Sequence, residues 1–307
     1  MSNIGSTQNY IQTEEATYKT SVSSGIVYRI GGAINWLNDM IASHASSLAT
    51  FQTRIDGLRI YTTRFLNSGT WSHPTMSSGY GGVYVLGCGG GGGGAGAHYW
   101  LGSDSYVRSS GGGGGAGAPI FGEFIPDMNF SGPITITIGQ GGLGGSAHND
   151  GSDGQSTVVS CATNYGTKTI TMFGGRGGKK PNTTSLSVGI GGQSISHGMP
   201  AAYGGNGGNW DTYGDPTLKV DAQSGEPSFY ASGGTTQVST THRSCGGGGG
   251  AAFAAGGNAN YDSTGGYPSN LLSGAGGAGG GTLDTTCWGG GEGAQGLVYI
   301  MYVRAAT

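Results

Sequence analysis

The chain has 307 residues, 70 of them glycine, with only 9% charged residues and a net charge of −3. So low a charge content argues against an intrinsically disordered chain, and nine prolines without a strict triplet repeat exclude collagen. The near balance of 13 basic and 16 acidic residues leaves no electrostatic footprint for nucleic acid or an anionic membrane surface.

Residues 1–25 are polar, with Glu14 and Glu15, and lack the basic-then-apolar pattern of a signal peptide. No run approaches the roughly eighteen apolar residues of a membrane span, so a soluble cytosolic product without membrane insertion is expected. Residues 26–64 carry a heptad. One set of positions reads Val27, Ile34, Ile41, Leu48 and Ile55; three residues on, the other reads Ile30, Leu37, His44, Phe51 and Leu58. Alternating spacings of four and three mark a coiled-coil seam, and aliphatic residues at both positions lean toward three strands. Gly31 and Gly32 weaken the start, which places the firm helix near Ala33. Asn38, Ala45 and Gln52 on the flanks leave open a second arrangement, in which the stripe folds back on the chain's own globular part. His44, the polar seam residue, either fixes the register of three helices around water or an anion, or lies partly exposed.

A composition boundary falls near Gly79, after which glycines come in blocks. Alternation and β-branching predict strands at 83–86, 134–138, 157–159, 168–173 and 297–303. Together they make a small sandwich or barrel that holds glycine-rich segments at its ends. Glycine costs more backbone entropy to order than any other residue, so those segments need a compensating geometry. Polyglycine II supplies one: an extended left-handed helix with about three residues per turn, whose N–H and C=O groups all point outward to neighbouring rods. Blocks 89–94, 111–115 and 246–250 are bare on every face and are expected at the centre of such a lattice. Blocks 141–145, 174–178, 204–208 and 276–280 carry a side chain every third residue and are expected at its edge, with Arg176 and Asn206 pointing outward.

Catalytic motifs fail on inspection. The stretch 174–180 resembles a phosphate loop, but Lys180 stands where Ser or Thr belongs and Phe173 where the first glycine belongs. Residues 149–154 lack the spacing and terminal Glu of a calcium loop and read as a plain turn. The four cysteines, Cys88, Cys161, Cys245 and Cys287, lie far apart and read as buried thiols. No enzyme activity, metal or cofactor is expected.

Several features then combine. The Gly69-Thr70-Trp71 strand entry with Pro74, the strand running into Cys88 and Gly89–Gly94, the recurrent Gly-Gly-x-Gly-Gly blocks and the closing strand from Gly293 to Ile300 resemble glycine-rich tail-fibre domains of tailed bacteriophages. The arrangement is also similar to the tip adhesins of T-even-like phages. That resemblance covers roughly 65–303 and implies a host-recognition protein of the virion, assembled in the host cytoplasm, whose loops bind a bacterial surface polysaccharide or outer-membrane protein. Those tip adhesins attach as single copies, whereas the heptad here points to a homotrimer.

The expected organisation is therefore 1–25 for attachment to other virion tail or fibre proteins, 26–64 for helical oligomerisation and 65–307 for receptor binding. The expected fold class is mainly β and irregular, with a trimeric helical segment before a β-sandwich that carries a polyglycine II lattice. Recognition falls to the loops that join the rods. Tyr and Trp give large contact area at low entropy cost, which singles out His98, Tyr99, Trp100, Tyr106, Asn209, Trp210, Tyr213, Phe229, Tyr230, Tyr261 and Tyr267. Trp288, beside Gly289–Gly291, reads as structural.

Overall fold

The computed structural model describes residues 24–56, 58–72, 82–101, 106–126, 130–181, 189, 191–192, 202–211, 221–228, 231–237, 243–244, 246–250, 252–260, 262–271, 273–283 and 285–305. The chain divides into two compact units, Met1–Arg59 with Ala305–Thr307, and Ile60–Arg304. Among the described residues the protein is mainly β with a single helix, and its sheets are open. No helix there is long and apolar enough to cross a membrane.

The helix, α1 (Ser24–Asp56), starts earlier than the glycine pair suggests and runs straight through Gly31 and Gly32. Each glycine costs about 1 kcal/mol relative to alanine in a helix, a cost the 33-residue helix carries without interruption. Ser47 and Thr50 return their hydroxyls to the carbonyls of Ser43 and Ser46, at 3.0 and 2.9 Å. Leu37, Ile41, His44 and Leu48 are exposed and Ile34 is half-buried. The helix is shorter at its far end than the heptad implies. It stops at Asp56, and residues expected in the helical segment form strand β1 (Leu58–Phe65). Leu58, read as a seam residue, is thus the first residue of a strand: it continues the apolar spacing, but Arg59-Ile60-Tyr61-Thr62-Thr63 favours extended backbone.

Beyond β1 the strands run β2 (Gly69–Trp71), β3 (Gly82–Cys88), β4 (His98–Leu101), β5 (Tyr106–Ser109), β6 (Pro119–Pro126) and β7 (Phe130–Thr137). They continue with β8 (Thr157–Thr163), β9 (Gly166–Met172), β10 (Asn209–Asp211), β11 (Arg243–Ser244), β12 (Thr282–Leu283), β13 (Thr286–Cys287) and β14 (Leu297–Ala305). Two four-stranded sheets, in the orders β1-β14-β3-β6 and β2-β7-β8-β9, share one apolar core. Its members alternate along the strands: Val83 and Val85, Ile134 and Ile136, Val159 and Cys161, Ile170 and Met172, Val298 and Ile300. This is the period of two that made five of these strands readable from sequence. Lys168 of β9 reaches Glu123 of β6 at 2.8 Å and ties the two sheets together at one margin.

Between this base and the short strands at the far end the chain runs as glycine-rich rods without conventional secondary structure, bonded to one another through their backbones. The rod 89–97 donates its N–H groups in strict rotation. Gly89, Gly92 and Ala95 bond to the carbonyls of Ala118, Gly115 and Gly112; Gly90, Gly93 and Gly96 to Gln155, Ser152 and Asn149; Gly91, Gly94 and Ala97 to Ala294, Gly291 and Trp288. Its carbonyls accept with the same period, from Gly142, Gly145 and His148, from Gly175 and Gly178, and from Gly277 and Gly280. Each turn of three residues therefore serves three antiparallel acceptors and three parallel donors, which is the bonding expected of polyglycine II. The rod 110–118 bonds with the same period, donating to 202–208, 274–280 and 173–179 and accepting from 189–192 and 247–250, which run parallel to it, and from 89–95, which runs antiparallel. Buried backbone groups are expensive to leave unpaired, so this mutual satisfaction is what lets a glycine segment act as a core.

The glycines are not there for unusual dihedrals. Among the described glycines only Gly122, Gly166 and Gly274 have positive φ. What forbids a side chain is the spacing of the rods: a Cβ on Gly91 would collide with the carbonyl oxygen of Ala275, and one on Gly94 with that of Ala278. Blocks 89–94, 111–115 and 246–250 are buried throughout, as expected for central rods, and Arg176 is exposed at the edge. The block 276–280 departs from expectation, since it is buried and Ala275 and Ala278 are fully enclosed. A methyl group is small enough for one rod face to stay inside, where Arg176 or Leu143 must project. Asn206 is half-buried, and its Oδ1 accepts the N–H of Gly191 at 2.9 Å instead of pointing away.

Candidate functional site

The rods give the lattice two ends. At one end 89–97 leaves β3, 110–118 enters β6, and 288–296 enters β14, so this end joins the apolar base. At the other, 89–97 runs into β4, β5 runs into 110–118, and 202–208 runs into β10. The three strands that meet at this tip form a sheet in the order β10-β5-β4. A second small sheet, β11-β12-β13, lies beside it, with β13 next to β4 and β11 next to β5. Strand β5 is central because its rod, 110–118, bonds directly to both 89–97 and 202–208, the rods that deliver its two neighbours.

Register makes the tip specific. Tyr99, Arg108 and Trp210 occupy one row across the three strands, Trp100, Val107 and Asp211 the next, and Leu101 pairs with Tyr106. His98 and Asn209 both pair with Ser109, where the sheet grows out of the rods. Six residues singled out from the sequence, His98, Tyr99, Trp100, Tyr106, Asn209 and Trp210, are thus gathered on adjacent strands although more than a hundred positions separate the ends of that set. Tyr267 is not among them. It is 56% exposed and follows the rod at 265–266, which bonds to 289 and 258 on the flank of the lattice. Tyr213, Phe229, Tyr230 and Tyr261 lie outside the described residues.

Two residues of the tip carry no signal in the sequence. Arg108 is only 6% exposed, a cation drawn into the middle of the sheet, on the central strand in register with Tyr99 on one side and Trp210 on the other. His148 sits at the turn joining rods 139–148 and 149–156, with φ of 69°, in the left-handed region that non-glycine residues seldom adopt. Its N–H bonds to Ala97, and its Nδ1 lies 2.7 Å from Nδ1 of His98, the rings meeting edge to face with centroids 4.6 Å apart. Such a contact needs one ring to donate and the other to accept. Burial, then the neighbouring His148 and Lys180, push the pKa of His98 below its ordinary value. The clasp fixes the start of β4 to the end of the lattice.

The carboxylates beside the tip also serve the backbone. Asp150 accepts the N–H of Lys180 at 2.8 Å and pairs with the ammonium of Lys179 at 3.2 Å, while Asp153 accepts the N–H of Gly177 at 2.8 Å. The segment expected as a plain turn therefore stitches one rod to the next. Trp288, expected to be structural, is half-buried, and its carbonyl receives the N–H of Ala97. Cys88 and Cys161 are buried free thiols and Cys287 is a half-buried one, whereas Cys245 lies outside the described residues. Burial pushes the Cys88 thiol up to about 12 and that of Cys287 to about 11, so neither is a thiolate at neutral pH. Among the described residues, no three of His, Cys, Asp and Glu gather as metal ligands.

No curated protein matches the sequence. The model of the glycine-rich domain family matches residues 66–303, nearly all of the base, lattice and tip just described. The chain belongs to that glycine-rich domain family.

Proposed function

We propose that this protein is the host-recognition part of a bacteriophage fibre, a non-enzymatic adhesin that presents aromatic residues on a polyglycine II scaffold. The observation that carries the reading is the tip sheet. Rods bonded to one another through their backbones deliver His98–Leu101, Tyr106–Ser109 and Asn209–Asp211 to adjacent strands at the end farthest from the apolar base. Aromatic residues lose little entropy on binding and suit both sugars and extracellular protein loops. A lattice without mobile side chains gives them a stiff mount, which lowers the ordering cost of binding. In this reading Tyr213, Phe229, Tyr230 and Tyr261 extend the contact surface, and the target is a host polysaccharide or outer-membrane protein.

The heptad of α1 supports assembly of three copies through Ile34, Leu37, Ile41, His44 and Leu48, the last four of them exposed. Residues 1–25 then attach the trimer to other tail or fibre proteins of the virion. The test is adsorption. Fluorescently labelled chain is expected to stain susceptible bacteria and to block phage attachment, with staining lost in host mutants lacking either the lipopolysaccharide or one porin. Changing Trp100 and Trp210 together to Ala is expected to reduce staining at least tenfold while the trimer persists. Absence of staining across a broad panel of hosts would favour a purely structural fibre or head-decoration role, and release of sugar fragments would identify a depolymerase.

A further inference from the structure

The sheet β1-β14-β3-β6 has an inner face given over to the core and an outer face that is apolar as well. Val83 and Val85 point inward and are fully buried, so alternation turns Tyr84 and Leu86 outward. Tyr84 pairs with Phe124 on one side and with Met301 on the other, and Leu86 pairs with Tyr299. The rings of Tyr84 and Phe124 meet at a tilt of 40° with centroids 4.8 Å apart, yet the two residues remain 43% and 42% exposed. On β1, Tyr61 stacks at 5.3 Å on Tyr302, which packs against the core, so Tyr61 faces inward and its neighbour Ile60 faces outward. Ile60 is 69% exposed. The nearest charged residues of the sheet do not interrupt this face, because Glu123 is turned to Lys168 of the other sheet. Thr62 and Arg64 follow Ile60 along β1 and give the face a polar margin. A contiguous apolar face with a polar margin marks a protein contact.

We infer that this outer face, from Ile60 across Met301 and Tyr84 to Phe124, packs against the neighbouring copies of the chain at the base of the trimer. The inference rests on the trimer reading of α1. The reason for naming a second copy is covalent. Only Gly57 separates Asp56, the end of α1, from Leu58, the start of β1. Helices in a packed bundle lie about 8–10 Å apart and two residue steps span at most ~7 Å, so three copies would begin β1 within roughly 25 Å of one another. β1 is also the edge of its sheet, with no bonded strand on its far side among the described residues. Gathering three such edges around one axis covers both an unpaired edge and the apolar face next to it, each a liability if left in solvent.

The experiment places the photo-crosslinker benzoylphenylalanine at Tyr84 in the full-length chain, mixed from isotopically light and heavy preparations. The same group at Tyr165, 86% exposed on the turn between β8 and β9, serves as the control. Irradiation is expected to join light to heavy chains at the first position and not at the second. Products confined to single chains, including those mapping to 24–56 of the same molecule, would overturn the inference. A Tyr84→Glu, Phe124→Glu variant is expected to keep the near-ultraviolet spectrum of the fold and to dissociate at concentrations at least tenfold higher than the parent trimer; an unchanged dissociation concentration would count against the surface. Sedimentation of the parent chain separates the two readings. A monomer there would remove the trimer and this inference with it, while a trimer without cross-linking at Tyr84 would remove the inference alone.

Discussion

Gly94 and Ile134 both lie in the solvent-free interior, but they are buried for opposite reasons. Ile134 belongs to the apolar base, where side chains interdigitate and the backbone is kept apart by them. Gly94 belongs to the lattice, where the interior is backbone and any side chain is an obstruction. The base follows the usual logic of cores, in which removing atoms costs contact and hydration energy. The lattice reverses it, because adding atoms breaks hydrogen bonds on every side at once.

Gly94→Val sharpens the contrast most. Its Cβ would occupy the space of the Ala278 carbonyl, and relief would separate rods bonded in three directions. The variant is expected to lose more than about 4 kcal/mol, the scale reserved for disrupted cores, and to recover little soluble folded protein. Chemical denaturation showing near-parental stability would mean that the rods slide apart easily, and the lattice would no longer qualify as a core. Ile134→Ala comes next, at about 2–5 kcal/mol, the range of aliphatic truncations that leave a cavity. This variant should unfold cooperatively at lower denaturant with its lattice amides still protected from exchange before the transition.

The smallest effect concerns the clasp at the tip. The pKa of His98 is lowered in the fold, so the folded chain binds fewer protons than the unfolded chain between the folded value and the ordinary 6.5. The stabilisation is therefore complete above about 6.5 and is lost as the pH falls through that window. A second proton also ends the donor and acceptor pairing with His148, which lies 2.7 Å away. Melting temperatures measured from pH 8 down to pH 5 are expected to fall less for His98→Phe than for the parent. A parallel fall in both would assign the acid sensitivity to other groups.

The five strands of the base with clean alternation were legible because a period of two is written directly in residue type. Strand β6 was not, since Pro119, Gly122 and Pro126 all read as breaks. Pro119 and Pro126 sit at its ends, and Gly122 takes φ of 70° where the pairing with β3 shifts register between Val85 and Gly87. Strand β1 was hidden for another reason: Leu58 continues the heptad, and spacing of apolar residues alone cannot say that the helix has ended. The short strands of the tip, two to four residues each, carry no periodicity at all.

What the sequence determined by itself was the kind of interior. Glycines in unbroken blocks, or in blocks interrupted by one side chain in every three residues, call for rods packed backbone to backbone, and alternating aliphatic runs demand a separate apolar base. Tertiary structure decided which rods are surrounded and which residues meet at the tip. Hydrogen bonding between rods depends on register across distant segments, and bare glycine is the same at every register. So the enclosure of Ala278, the pairing of His98 with His148 and the row of Tyr99, Arg108 and Trp210 arise only once the whole lattice has assembled.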